Sequence, residues 1–173
     1  MAHNYYQQSG GEDQVFADES QLLEQYGHHV HRFTMHNDQI DGTSQLALLG
    51  KTIWNREVYA ELRSLIRQHK IQVVHFHNTF PLISPAAYYA AKAEKVAVIQ
   101  TLHNYRLFCL NALFLRDGKV CEDCLGQPVP WQGVRHSCYR DNTAASAAVA
   151  TMLTTHRLLQ TWNQQVDAYI ALT

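Results

Sequence analysis

The stretch Ile71-Gln72-Val73-Val74-His75-Phe76 decides the fold. It is a β-branched run with little polar interruption, the composition of a parallel strand buried on both faces. Just before it, Arg56 to His69 carries Val58, Leu62, Leu65 and Ile66 at i, i+4, i+7 and i+8, one face of an amphipathic helix. After it, Ser84-Pro85 opens another helix, with serine suited to capping free amides and proline to the first turn. Val96 to Leu102 then reads as a second buried strand. Strands alternating with helices predict an α/β domain built on a doubly wound parallel sheet.

Working outward, Gly10 to Gly27 reads as a helix: Val15, Phe16, Leu22, Leu23 and Tyr26 return to one face, and Gly27 suits its left-handed end. His29 to Met35 is a short strand, and Asp38 to Gly50 a loop with room for a short helix. Near the end, Ala144 to Trp162 is a long alanine-rich helix and Val166 to Leu172 a closing strand. Two features break the alternation. Tyr105 to Asp141 has no periodicity and holds all four cysteines, so it reads as an insertion after a strand. The first helix should follow a strand, yet only Met1-Ala2-His3 stands in its place, so the first strand is expected to be absent or truncated.

At 173 residues with 46% apolar content, the chain is long enough for one domain with a real core. Lys+Arg 14 against Asp+Glu 15 gives a net charge of -1, with no basic excess for nucleic acid. The longest near-apolar run, Ala144 to Leu153, falls short of the ~18 residues a membrane span needs. The start carries no signal peptide, which makes a cytoplasmic setting the expectation. Histidine is over-represented, at 11 residues.

In an open parallel sheet, ligands bind outside the carboxyl ends of the strands. Gly10-Gly11 falls in one such turn, His75, His77 and Asn78 end the next strand, and His103-Asn104 ends the one after. Any one histidine has an alternative reading as a hydrogen-bonded core residue. Gly10-Gly11 is not G-x-G-x-x-G, and Glu12 and Asp13 follow at once, which argues against a dinucleotide phosphate site. Serine-hydrolase and zinc-protease motifs are missing. No carboxylate pair sits at the predicted strand ends to serve a glycosidase. The histidines suit a polyhydroxylated or phosphorylated ligand better than a protease triad.

Five segments carry a resemblance. Gln8-Ser9-Gly10-Gly11-Glu12-Asp13, His75-Phe76-His77-Asn78-Thr79-Phe80-Pro81 and Thr101-Leu102-His103-Asn104-Tyr105-Arg106 resemble the N-terminal domain of family 4 glycosyltransferases. So do Asp117-Gly118-Lys119-Val120-Cys121-Glu122-Asp123-Cys124-Leu125-Gly126, a pattern of a bacterial subgroup, and the closing Tyr169-Ile170-Ala171-Leu172-Thr173. The resemblance implies the GT-B architecture, two Rossmann-like domains facing across a cleft. Residues 1–173 would be the acceptor-side domain, with an insertion over about 105–141. The donor-binding domain would lie outside this chain, which alone would be inactive. It further implies transfer from a nucleotide-sugar to a saccharide or lipid-linked acceptor, with retention, without a catalytic metal, in surface polysaccharide synthesis. Association with the inner face of the membrane stays open.

By the same resemblance, His103 is the candidate catalytic residue, contacting the donor sugar. Gly10 and Gly11 let backbone approach the donor phosphates and the acceptor, where a side chain would intrude. His77, Asn78 and Asn104 are candidate substrate-binding residues. Arg106 serves either an anionic acceptor group or a structural ion pair. A second functional reading, a non-catalytic binding module with a zinc-stabilised loop, rests on the cysteines. Cys109, Cys121, Cys124 and Cys138 are candidate ligands of a structural zinc, with His136 as a substitute, or else free thiols packed as small apolar residues. A zinc-dependent nucleic-acid binder is disfavoured by the neutral charge.

Overall fold

The computed structural model describes residues 1–40 and 42–172. Asp41, within the loop expected over Asp38 to Gly50, and Thr173, the last residue of the closing motif, lie outside the described residues. The chain divides into two compact units, one of Met1–His103 with Gln164–Thr173 and one of Asn104–Asn163.

The first unit runs β1 (Ala2–Tyr5), α1 (Gly11–Gln25), β2 (Phe33–His36), a 3-10 turn (Asn37–Ile40), α2 (Gln45–Ile53), α3 (Arg56–His69), β3 (Val73–Asn78), α4 (Ala86–Ala93) and β4 (Ala97–Leu102). A last strand returns to it after the second unit. The five strands form one fully parallel sheet, with β2 and the last strand at its edges and β1, β3 and β4 between them. The expected α/β class is therefore the observed one.

Helix α3 shows how the sequence builds this unit. Asn55 Oδ1 accepts from the amides of Glu57 and Val58, and left-handed Lys70 ends the helix. Val58, Leu62 and Ile66 turn inward and are almost wholly buried. Burying one such side chain stabilises the fold by about 1.5–3 kcal/mol. Pro85 rather than Ser84 stands at the N-cap of α4, but Ser84 Oγ accepts from the amides of Ala86 and Asn55, tying two helix starts together. Helix α4 packs close through small residues, with Ala86, Ala87, Ala90 and Ala91 at 0% exposure.

The first strand is short but central. β1 has four residues and pairs with β2 on one side and β3 on the other. Its polar members His3 and Asn4 are buried, and Asn4 is satisfied: it donates to Asn37 Oδ1, accepts from the amide of Leu82 through Oδ1, and accepts from Asn78 Nδ2 through its carbonyl. A buried polar residue in a central strand is tolerated when each group finds a partner. Strand β2 begins at Phe33, four residues after the start expected at His29.

The second unit holds a two-stranded antiparallel hairpin, β5 (Leu115–Arg116) and β6 (Lys119–Val120), then α5 (Trp131–Arg135) and α6 (Thr143–Leu158). The hairpin turns on left-handed Asp117 and Gly118. The segment expected to be irregular therefore contains short elements that no hydrophobic period announces. The alanine-rich helix does not continue to Trp162 as expected. It stops at Leu158, Gln160 takes a left-handed conformation (φ 51°), and a separate turn, α7 (Thr161–Gln164), follows. An L-residue in that conformation ends the helical ladder. Strand β7 (Ala168–Ala171) then pairs with β4 in the first unit. No helix among the described residues is long and apolar enough to cross a membrane.

Candidate functional site

The chain leaves β1 for the edge strand β2, then crosses back to place β3 on the other side of β1. Open α/β sheets bind ligands at such a reversal, beyond the carboxyl ends of the strands, here β1 and β3. Gly10-Gly11 follows β1, His77 and Asn78 end β3, and His103 follows β4 directly.

A chain of imidazoles runs along this edge. His77 Nδ1 lies 3.0 Å from His103 Nε2, and the two rings are stacked with centroids 5.2 Å apart. On its other side, His77 Nε2 lies 3.2 Å from Glu19 Oε2 of α1, out of line for a full hydrogen bond and with no other partner. The His77 side chain is 0% exposed. His75 is engaged twice, through Nε2 with Thr101 Oγ1 at 2.7 Å and through Nδ1 with Glu19 Oε2 at 3.6 Å. Behind them, His3 Nε2 meets Asp13 Oδ1 at 2.8 Å, and its ring stacks on Phe16.

Burial sets the charge state of this cluster. It lowers His77 to about 3 and His75 to about 4, with repulsion from the neighbouring imidazoles adding to it. His103 is lowered too, by burial first and by His3 second, against an opposing pull from Asp13. Desolvation in turn raises the carboxyl of Glu19. The rings of His75 and His77 are therefore neutral near pH 7. The nearby Glu19 carboxylate favours a proton on Nε2 of His77, and we assign that tautomer, with Nδ1 accepting. His103 must then donate from Nε2, which leaves its Nδ1 as the ring's remaining acceptor. Such a ring can accept a hydrogen bond from a hydroxyl.

Glu19 Oε2, His75 Nδ1 and His77 Nε2 also lie within 4.8 Å of one another, a set able to hold a cation. The carboxylate already stands within ion-pair reach of both rings, so the trio is complementary without one.

Gly10 and Gly11 are not required by the fold. Gly10 has extended backbone (φ -127°, ψ 176°), which any residue adopts. A Cβ built on either glycine meets nothing within 4 Å. Asp13 is turned back on the chain, with Oδ2 accepting from the Gly10 amide and Oδ1 meeting His3. The carboxylate expected to repel a phosphate is thus occupied in bracing the glycine turn.

The other predicted residues are engaged internally. Asn78 donates to the Asn4 carbonyl and accepts from the amide of Phe80, which uses both ends of its side chain. In the second unit, Asn104 Oδ1 accepts from the amide of Arg106. The Arg106 guanidinium donates to the Leu110 carbonyl and lies over the Tyr139 ring. Sequence reasoning missed Glu19 and Thr101. Glu19 had a readable signal: it lies three residues after Phe16, the large buried side chain of α1, and so shares its face.

No curated protein and no solved structure matches the chain. The family model described as Glycosyltransferase Family 4 matches residues 9–171, from just before the Gly10-Gly11 turn to the end of β7. The match takes in the glycine turn and both histidine-bearing strand ends, so the chain belongs to glycosyltransferase family 4, whose substrates are sugars.

Proposed function

We propose that this chain is the acceptor-side, N-terminal domain of a retaining bacterial glycosyltransferase of the GT-B type. It would move a sugar from a nucleotide-sugar to a saccharide or lipid-linked acceptor, in surface polysaccharide synthesis. The observation that carries this reading is the relay Glu19–His77–His103 beside an unobstructed glycine turn at the switch point of the sheet. In this reading the Nδ1 of His103 accepts a hydroxyl of the donor sugar and fixes its orientation. His77 and Glu19 are positioning residues that hold the tautomer and angle of that ring. Gly10 and Gly11 admit the donor phosphates and the acceptor to the backbone. Asn78 acts from behind by holding the strand end, and Asn104 and Arg106 hold the second unit's own first turn. The retaining step needs no catalytic metal here: the leaving diphosphate oxygen takes the acceptor proton.

Groups from both sides of a cleft must be held together for transfer, so the chain alone is expected to release no nucleotide above background from UDP-, GDP- or ADP-sugars. Turnover by the chain alone would overturn the two-domain reading. In a protein that also carries the donor-binding domain, His103→Ala is expected to cut turnover ~10²–10³-fold, as loss of one transition-state donor or acceptor does. Near-unchanged turnover would remove His103 from its role.

A further inference from the structure

The second unit, Asn104–Asn163, has an unusual centre. Leu113, Leu115, Val120, Leu125, Val129 and Trp131 are all exposed. Its first part is instead gathered around sulfur. Cys109 comes from the turn after Tyr105, Cys121 from the residue after β6, Cys124 from the following turn, and Cys138 from the chain beyond α5. All four line a single small cavity of about 10 Å³, together with Leu110 and Gly133. Cys109 and Cys124 are buried, Cys121 and Cys138 half-buried, and none forms a disulfide.

Backbone around the cavity is held in costly conformations. Ala112, Phe114, Asp117, Ser137, Arg140 and Asp141 all have left-handed φ between 50° and 69°, which L side chains avoid. A long connection with this backbone and so little buried hydrocarbon needs another source of order. The thiols have few partners that would explain their convergence: Cys109 Sγ donates to Asn111 Oδ1 at 2.9 Å. Arg116 lines the same cavity, anchored by Asp123 at 2.8 Å, and so brings a fixed positive charge to the sulfurs.

We infer that Cys109, Cys121, Cys124 and Cys138 form a structural zinc site that orders the second unit. Four thiols lose four protons to solvent and one Zn²⁺ takes four thiolates, giving a centre of charge −2 that the Arg116 guanidinium partly balances. A Zn–S distance of about 2.3 Å places sulfurs roughly 3.8 Å apart. The sulfurs stand wider than this, since the tight set of ligand atoms among the described residues is Glu19, His75 and His77. Binding therefore draws the four sulfurs closer together over the cavity. His136 does not line the cavity and is not the fourth ligand. A closed four-sulfur site leaves no open position for a substrate, so the metal is structural and independent of glycosyl transfer.

The experiment is metal analysis of the full chain purified without chelator, which should find close to one zinc per chain. Cys124→Ser should lose it, whereas Glu19→Gln should keep it, because the rival ligand set is then the one disabled. Zinc-free protein with four freely titrating thiols would overturn the site, and so would zinc retained by Cys124→Ser or lost in Glu19→Gln. Cobalt exchange into the unmutated chain gives an answer that does not depend on the variants folding. Thiolate-to-cobalt charge-transfer bands with tetrahedral d–d bands are expected, and a spectrum without them would also overturn the site.

Discussion

In the sheet unit, Val74, Phe76 and Val98 of the strands and Leu62 and Ile66 of helix α3 are hydrocarbon buried from water, each at 3% exposure or less. In the Asn104–Asn163 unit, Val120 is 80% exposed and Leu113 63%, while two of the four cysteines are buried. One region is ordered by area removed from water, through regular elements with readable periods. The other adds to one long helix, α6 with its buried Val149, Met152 and Leu153, a first part held by short elements and the convergence of sulfur. Periodicity therefore measures how much of a region's order comes from apolar burial, and a region without it needs a different centre.

The largest effect expected from this contrast is at Phe76, which is fully buried with its ring 4.8 Å from that of Tyr88. Phe76→Ala should destabilise the chain by about 3–5 kcal/mol, through lost transfer energy and the cavity left behind. Urea unfolding should register the same loss with and without a chelator, because this core owes nothing to metal. A loss that depends on chelator would break the contrast.

A smaller effect follows from the buried imidazoles. His75 and His77 titrate at about 4 and about 3 in the folded chain, below their ordinary value of 6.5. The unfolded chain binds protons first, so their contribution is fully present above pH 6.5 and is lost as pH falls towards 4. Glu19 is shifted the other way, so its protonation in the folded state partly offsets that loss in the acid range. Melting temperature should fall from pH 7 to pH 4, and fall less steeply in His77→Asn. Parallel profiles for the two proteins would show that His77 is not held neutral by its surroundings.

The smallest shift in folding is expected at Gly11, the first residue of α1. Open space around its Cβ position means that Gly11→Ala should raise stability by about 0.5–1 kcal/mol, through helix propensity. If the turn exists to admit a ligand, the same change lowers sugar transfer in the two-domain protein. A variant that is more stable and equally active would make the glycine turn part of the framework.

Much of the sheet unit was legible before any coordinates. The β-branched run before His75 and the Val58–Leu62–Ile66 spacing encode β3 and α3 locally, because burial on one face forces that period on the chain. The central place of β1 was not legible: His3 and Asn4 read as polar, and only their partners on Asp13, Asn37, Leu82 and Asn78 make burial affordable. Helix α6 was over-extended for a related reason. Alanine propensity runs on through the sequence, whereas the stop at Gln160 is a backbone choice that composition does not record.

By itself, the sequence determined the α/β class, the strand ends that carry His77 and His103, and the glycine turn before α1. These follow from local patterns, since residues close in sequence share a strand or a helical face. Tertiary structure alone decided that Glu19 stands against His77, that His77 hands on to His103, and that four separated cysteines share one cavity. Apart from the Cys121–Cys124 pair, those contacts join segments 12 to 58 residues apart, as numbered in the sequence. No spacing rule reaches across such distances, because their meeting depends on strand order and loop packing rather than on the period of any one element.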